Sequence, residues 1–98
     1  VILLNEEEIT IVKKILTNYC PDAKVWLFGS RTTGKAKQYA DLDILIKMNQ
    51  PIPLRVMFLI KDDFAESNLP FIVDVVDWHR ITPEFRMLIT PQLHEFIN

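Results

Sequence analysis

The sequence holds one cysteine, Cys20, so no disulfide can close within it, and a reducing cytoplasm is the expected compartment. Its two histidines, His79 and His94, lie far apart and lack the Cys and His spacing of a zinc site. Glycine is scarce, and the residues around Gly29 form neither a P-loop nor a dinucleotide-binding glycine fingerprint. No apolar run approaches the length that spans a membrane. Val1-Ile2-Leu3-Leu4 is too short for the apolar segment of a signal peptide and has no basic flank. A first residue other than Met leaves the N-terminus open to processing or trimming. Basic charge is not in excess: 11 Lys and Arg stand against 13 Asp and Glu. The resulting net charge of −2 gives no general drive toward nucleic acid or an anionic membrane. Repeats and low-complexity tracts are missing too.

What remains is a single domain over residues 1–98, near the lower end of the size range for independent folding. Its residues are 49% hydrophobic, rich for so small a domain, so part of that surface is expected to meet a partner.

Asn5 followed by Glu6, Glu7 and Glu8 reads as an N-cap with acids in the first turn. Ile9, Val12, Ile15 and Leu16 then repeat at helical spacing, which predicts a helix to about Asn18. Pro21-Asp22 breaks it. Residues 24–28 read as a short apolar strand ending at Gly29. Residues 30–40 read as a turn leading into a short helix or an irregular loop, and 42–47 as a second strand. After the turn chemistry of Asn49 to Pro53, residues 54–66 read as a long helix. Leu54, Val56, Met57, Phe58, Leu59 and Ile60 cannot all face one core from that helix, so some are expected on a partner surface. Residues 71–78 read as a third strand, including Trp78. Thr82-Pro83 opens a further helix, and Thr90-Pro91 repeats that signal, predicting a new short helix or a kinked one at the end.

Chemistry concentrates in two places. Gly29 ends a strand, where its lack of a side chain lets the backbone turn tightly and approach a ligand. Ser30 follows it and, if it opens a helix, its hydroxyl and the next N–H groups point at an anion. After ten intervening residues come Asp41, Leu42 and Asp43. Asp is disfavoured in strands, and residues two apart on a strand share a face. Leu45 continues that face as apolar, so the face is not simply solvated. Asp74 sits among Val73, Val75 and Val76, where an acid is costly unless it binds something. Carboxylates gathered side by side repel unless a cation lies between them. Asp77 points to the opposite face and reads as a structural or capping acid. Arg31, Lys35 and Lys37 follow the turn with no acid among them, and each is read as a solvated loop residue or as a partner for phosphate oxygens, Arg31 first by proximity. Cys20 reads as a buried small residue, and Trp26 and Trp78 as packing residues at strand positions.

Gly29-Ser30, ten residues, Asp41-x-Asp43 and a later strand carboxylate together resemble the nucleotidyltransferase superfamily that includes DNA polymerase beta. The short length makes the chain similar to the minimal nucleotidyltransferases, often called MNT proteins, which are commonly paired with a HEPN-domain protein. The resemblance implies an α/β (α+β) fold, a mixed sheet of three or more strands flanked by helices. It implies that Gly29 and Ser30 hold the triphosphate of the nucleotide, and Arg31 joins the nucleotide-binding set by its proximity to that turn. It implies that Asp41, Asp43 and Asp74 ligate one or two Mg2+ ions and carry catalysis, with ATP as substrate. It further implies transfer of AMP to a tyrosine of a HEPN ribonuclease toxin, making the chain the antitoxin of the pair. Two alternatives stand beside this: a non-catalytic nucleotide-binding subunit that neutralises a HEPN partner by masking it, and a free-standing small-molecule adenylyltransferase.

Overall fold

The structure, a computed structural model, describes residues 4–34 and 39–97. Helix α1 spans Glu6–Tyr19 and is started by a complete capping box. The Asn5 side chain accepts from the Glu8 N–H at 2.8 Å, and the Glu8 carboxylate accepts from the Asn5 N–H at 3.0 Å. Two of the helix's orphan donors are thereby satisfied. Strand β1 (Lys24–Phe28) follows, then a single-turn helix α2 (Ser30–Thr33), strand β2 (Leu42–Lys47) and helix α3 (Leu54–Glu66). Strand β3 (Val73–Asp77) runs into a 3-10 turn at Trp78–Arg80. Helix α4 (Pro83–Ile89), a second 3-10 turn (Thr90–Gln92) and strand β4 (His94–Ile97) complete the order.

The strands form one sheet in the order β3-β2-β1-β4. β2 and β3 are parallel, while β1 is antiparallel to both of its neighbours. This is the mixed sheet with flanking helices that the resemblance implies. Alternation along the strands sends Val25, Leu27, Leu42, Ile44, Ile46 and Val75 to one face. Val12 and Leu16 of α1 and Met57, Ile60 and Phe64 of α3 cover that face and make the main core. The Tyr19 hydroxyl donates to Asp63 at 2.8 Å and ties the two helices together. On the other face a smaller core forms around Phe28, Leu45 and Ile89. Phe85 of α4 meets Phe28 there edge-on, with ring centroids 6.1 Å apart.

The crowded apolar half of α3 divides as its pitch requires. Met57 and Ile60 are buried, Val56 and Leu59 are half-buried, and Leu54 and Phe58 are exposed. Asp77 is buried on the main-core side and acts as a cap. Its carboxylate accepts from the Ile52 N–H at 2.7 Å and from the His79 N–H at 3.0 Å, and it pairs with Arg80 at 3.5 Å.

Three expectations need correction. Leu88, whose helical spacing with Phe85 and Ile89 reads as inward-facing, is 64% exposed. The Thr90-Pro91 signal gives a short 3-10 helix directly after α4, but the last segment does not stay helical: β4 pairs along the outer edge of β1. Ladder hydrogen bonds to an open strand edge outweigh the local helix-start signal. Trp78 is not in a strand either. The Asp77 carboxylate captures the His79 N–H and turns the backbone one residue earlier than the apolar pattern predicts.

Candidate active site

Three segments meet at one end of the sheet. β1 ends at Phe28, and the chain turns at Gly29 into α2. Gly29 has φ +82°, in the left-handed region that side chains disfavour. A Cβ at that position would overlap the carboxylate of Asp43. The register explains the closeness: Phe28 lies opposite Asp43 across the β1–β2 ladder. The Gly29 carbonyl accepts from the Thr32 N–H at 3.1 Å and from the Thr32 hydroxyl at 2.9 Å, which fixes the turn. The Gly29 N–H donates to the Gln92 side chain at 3.1 Å.

Asp43 is also the register partner of Asp74 across the parallel β2–β3 ladder. Both project from the face that carries Leu45 and Val76, away from the main core. Asp41 lies one residue before β2 and is exposed, as is Asp74, while Asp43 is half-buried. Burial, and after it the charges of Asp74 and Asp41, push the Asp43 carboxyl up to about 6.

Gly29, Asp43 and Asp74 are therefore brought together, with Ser30 and Asp41 beside them in sequence. Among the described residues, no three acidic, His or Cys side chains are gathered into a ready metal cage. The donor set still fits a hard divalent cation. Its ligands would be carboxylate oxygens, which suit Mg2+. Burial first, and the neighbouring carboxylates after it, disfavour the ionised form of Asp43, and a bound cation would favour it. Asp41, Asp43 and Asp74 are the residues that would hold such an ion.

Arg31 sits differently from a solvated loop cation. It is 3% exposed, its Nε donates to the Ala40 carbonyl at 3.0 Å, and its guanidinium carbon lies 4.2 Å from the centroid of the Phe71 ring. Lys35 and Lys37 lie outside the described residues. Gln92, Ala40 and Phe71 carry no signal in the sequence for these contacts. Each is a common residue type, far from its partner or bonding through its backbone.

The chain is 44% identical over 86 residues to a probable protein adenylyltransferase, MntA, of Haemophilus influenzae. That match covers 88% of this chain and 75% of the relative. A crystal structure of a toxin-antitoxin with AMP-PNP superposes with a TM-score of 0.77 at 21% identity, over 90% of this chain and 71% of that one. A structure of a tri-AMPylated HEPN toxin of Shewanella oneidensis in complex with MNT antitoxin gives a TM-score of 0.70 at 20% identity. It covers 90% of this chain and 67% of that one, and at such identities the likeness is one of fold. The profile described as polymerase beta, nucleotidyltransferase matches residues 4–94, nearly the whole length, and with it the chain belongs to the polymerase beta-like nucleotidyltransferase family.

Proposed function

We infer that this domain transfers AMP from ATP to a hydroxyl of a partner protein, and that the partner is a HEPN toxin whose tyrosine is modified. The observation that carries the reading is the Gly29 turn lying against Asp43, with Asp74 in register beside it. A turn without a side chain lets the Asp43 carboxylate lie against the backbone that would meet a triphosphate, next to a second carboxylate.

In this reading Gly29 and Ser30 hold the triphosphate and aim the α-phosphorus at the carboxylate end of β2 and β3. Asp74, on the exposed edge strand, accepts the proton of the incoming hydroxyl. The hydroxyl oxygen bonds to the α-phosphorus, the bond to the β-phosphate bridge breaks, and pyrophosphate leaves. Asp41, Asp43 and Asp74 would hold Mg2+, which when bound offsets charge on the attacking and leaving oxygens. The raised Asp43 carboxyl is then the state without the ion, and metal binding favours its ionised form.

The adenylyltransferase relative supports the reaction type, and the fold shared with MNT–HEPN assemblies supports a protein acceptor. Exposed Leu54 and Phe58 on α3 favour a protein acceptor over a small molecule. The gathering of Asp43 and Asp74 beside the Gly29 turn favours catalysis over masking alone, because a pure binder has no need of acids placed there. A cytoplasmic site of action fits the ATP requirement and the free thiol of buried Cys20. The test is transfer of label from α-labelled ATP to the co-purified partner in Mg2+. Label on a partner tyrosine is the expected result, and label on neither chain overturns the reading.

A further inference from the structure

Arg31 connects three segments that are separate in sequence. Its backbone stands in α2, two residues after the Gly29 turn. Its Nε donates to the carbonyl of Ala40, the residue before Asp41. Its guanidinium stacks on Phe71, the residue before Ile72. The Ile72 carbonyl in turn accepts the Leu42 N–H at 2.9 Å, and Val73 and Asp74 follow directly. The side chain is almost wholly buried, so its charge is met by protein and not by water, and these contacts are part of what meets it. Planarity lets it stack and donate at once, which a lysine ammonium cannot reproduce.

We propose that Arg31 is a positioning residue, which braces the loop before Asp41 and the lead-in to Asp74 against the Gly29–Ser30 turn. It sets the spacing of the carboxylates and does not itself grip the triphosphate. This rests on the nucleotidyltransferase site described above, and it departs from the role that proximity to Ser30 suggests. The Nε–H and one face of the guanidinium are turned to protein, toward the two segments that bear the acids.

Two binding measurements separate the roles in Arg31→Lys and Arg31→Met. Calorimetric affinity for a non-hydrolysable ATP analogue in EDTA reads the phosphate turn without any contribution from a metal ion. The dissociation constant for Mn2+, read from the free-ion electron paramagnetic resonance signal, reads the carboxylates. Both variants are expected to keep nucleotide affinity within about twofold and to bind Mn2+ at least about fivefold more weakly. Lysine is expected not to rescue, although it keeps the charge. Phe71→Leu, which keeps apolar bulk but removes the ring, is expected to weaken Mn2+ binding in the same direction and guards against an Arg31 variant that fails to fold. Nucleotide affinity lost at least tenfold with Mn2+ binding unchanged, or full rescue by lysine, overturns the proposal. Wild-type protein that binds neither ligand overturns the nucleotidyltransferase reading on which it rests.

Discussion

Gly29 and Asp43 occupy each other's space: the carboxylate of one fills the position that a side chain on the other would take. The relationship is set by the register of β1 on β2, which places Phe28 opposite Asp43. The phosphate turn and the metal-side acid of the proposed site are thus one packing unit, and a side chain at position 29 would displace the carboxylate.

Gly29→Val is expected to abolish nucleotide binding, since it meets both a left-handed backbone and the Asp43 carboxylate. Ser30→Ala is expected to be milder, roughly 1 kcal/mol if it removes one neutral hydrogen bond and about 1.5–3 kcal/mol if the bond is to a charged phosphate oxygen. Calorimetric titration with the ATP analogue checks both. Wild-type affinity in the valine variant would show that the turn is not the phosphate site.

Asp43 makes the metal-free protein sensitive to pH. Its carboxyl is raised to about 6 from an ordinary 3.8, so the folded state binds more protons than the unfolded state between those values. The sign is that metal-free stability falls as pH rises from about 4 to about 6. The ceiling is about 3 kcal/mol, from about 1.4 kcal/mol per tenfold change in acidity, and partial exposure brings it to about 1–2 kcal/mol. Asp43→Asn is expected to remove that slope and to raise Tm above wild type at pH 7 in EDTA. Thermal melts across this range check it, and added Mg2+ is expected to stabilise wild type but not the variant.

Asp74 and Asp77 lie three residues apart on β3 and point to opposite faces. Asp77→Ala strips partners from the Ile52 and His79 N–H groups and from Arg80, and is expected to cost about 2–4 kcal/mol of stability. Asp74→Asn is expected to leave stability within about 0.5 kcal/mol, as an exposed position, while abolishing transfer. Urea unfolding and the label-transfer assay, run on both variants, check this division. Equal stability loss in the two would erase it.

Leu54 and Phe58 are neighbours one turn apart on the outer side of α3, 68% and 67% exposed. Phe58→Glu is expected to dissociate the proposed partner while leaving monomer stability within about 0.5 kcal/mol. Co-purification and a thermal melt check the two halves. A complex that survives with wild-type affinity moves the interface to the terminal segment or the rim of the site.

Much of this was legible along the chain, for local reasons. The β1, β2 and α3 boundaries follow from apolar periodicity bounded by Gly29, Pro53 and Asn68-Leu69-Pro70, signals that need no tertiary context. The placement of Asp43 beside Asp74 follows from strand alternation once the two strands pair in parallel. β4 was not legible, because four residues of an edge strand have little periodicity and Thr90-Pro91 imitates a helix start. The burial of Arg31 was not legible either. It depends on Phe71, forty residues away, and a cation after a glycine turn looks the same in sequence whether it faces a phosphate or the protein.

The central claim is that the carboxylates beside the Gly29 turn carry AMP transfer. Its most direct test is label transfer from α-labelled ATP in Mg2+ by the Asp41→Asn/Asp43→Asn double variant in complex with its partner, with circular dichroism to show that the fold is intact. The predicted result is a folded protein without transfer, because each substitution removes charge and keeps volume. Undiminished transfer by the folded double variant would contradict the mechanism.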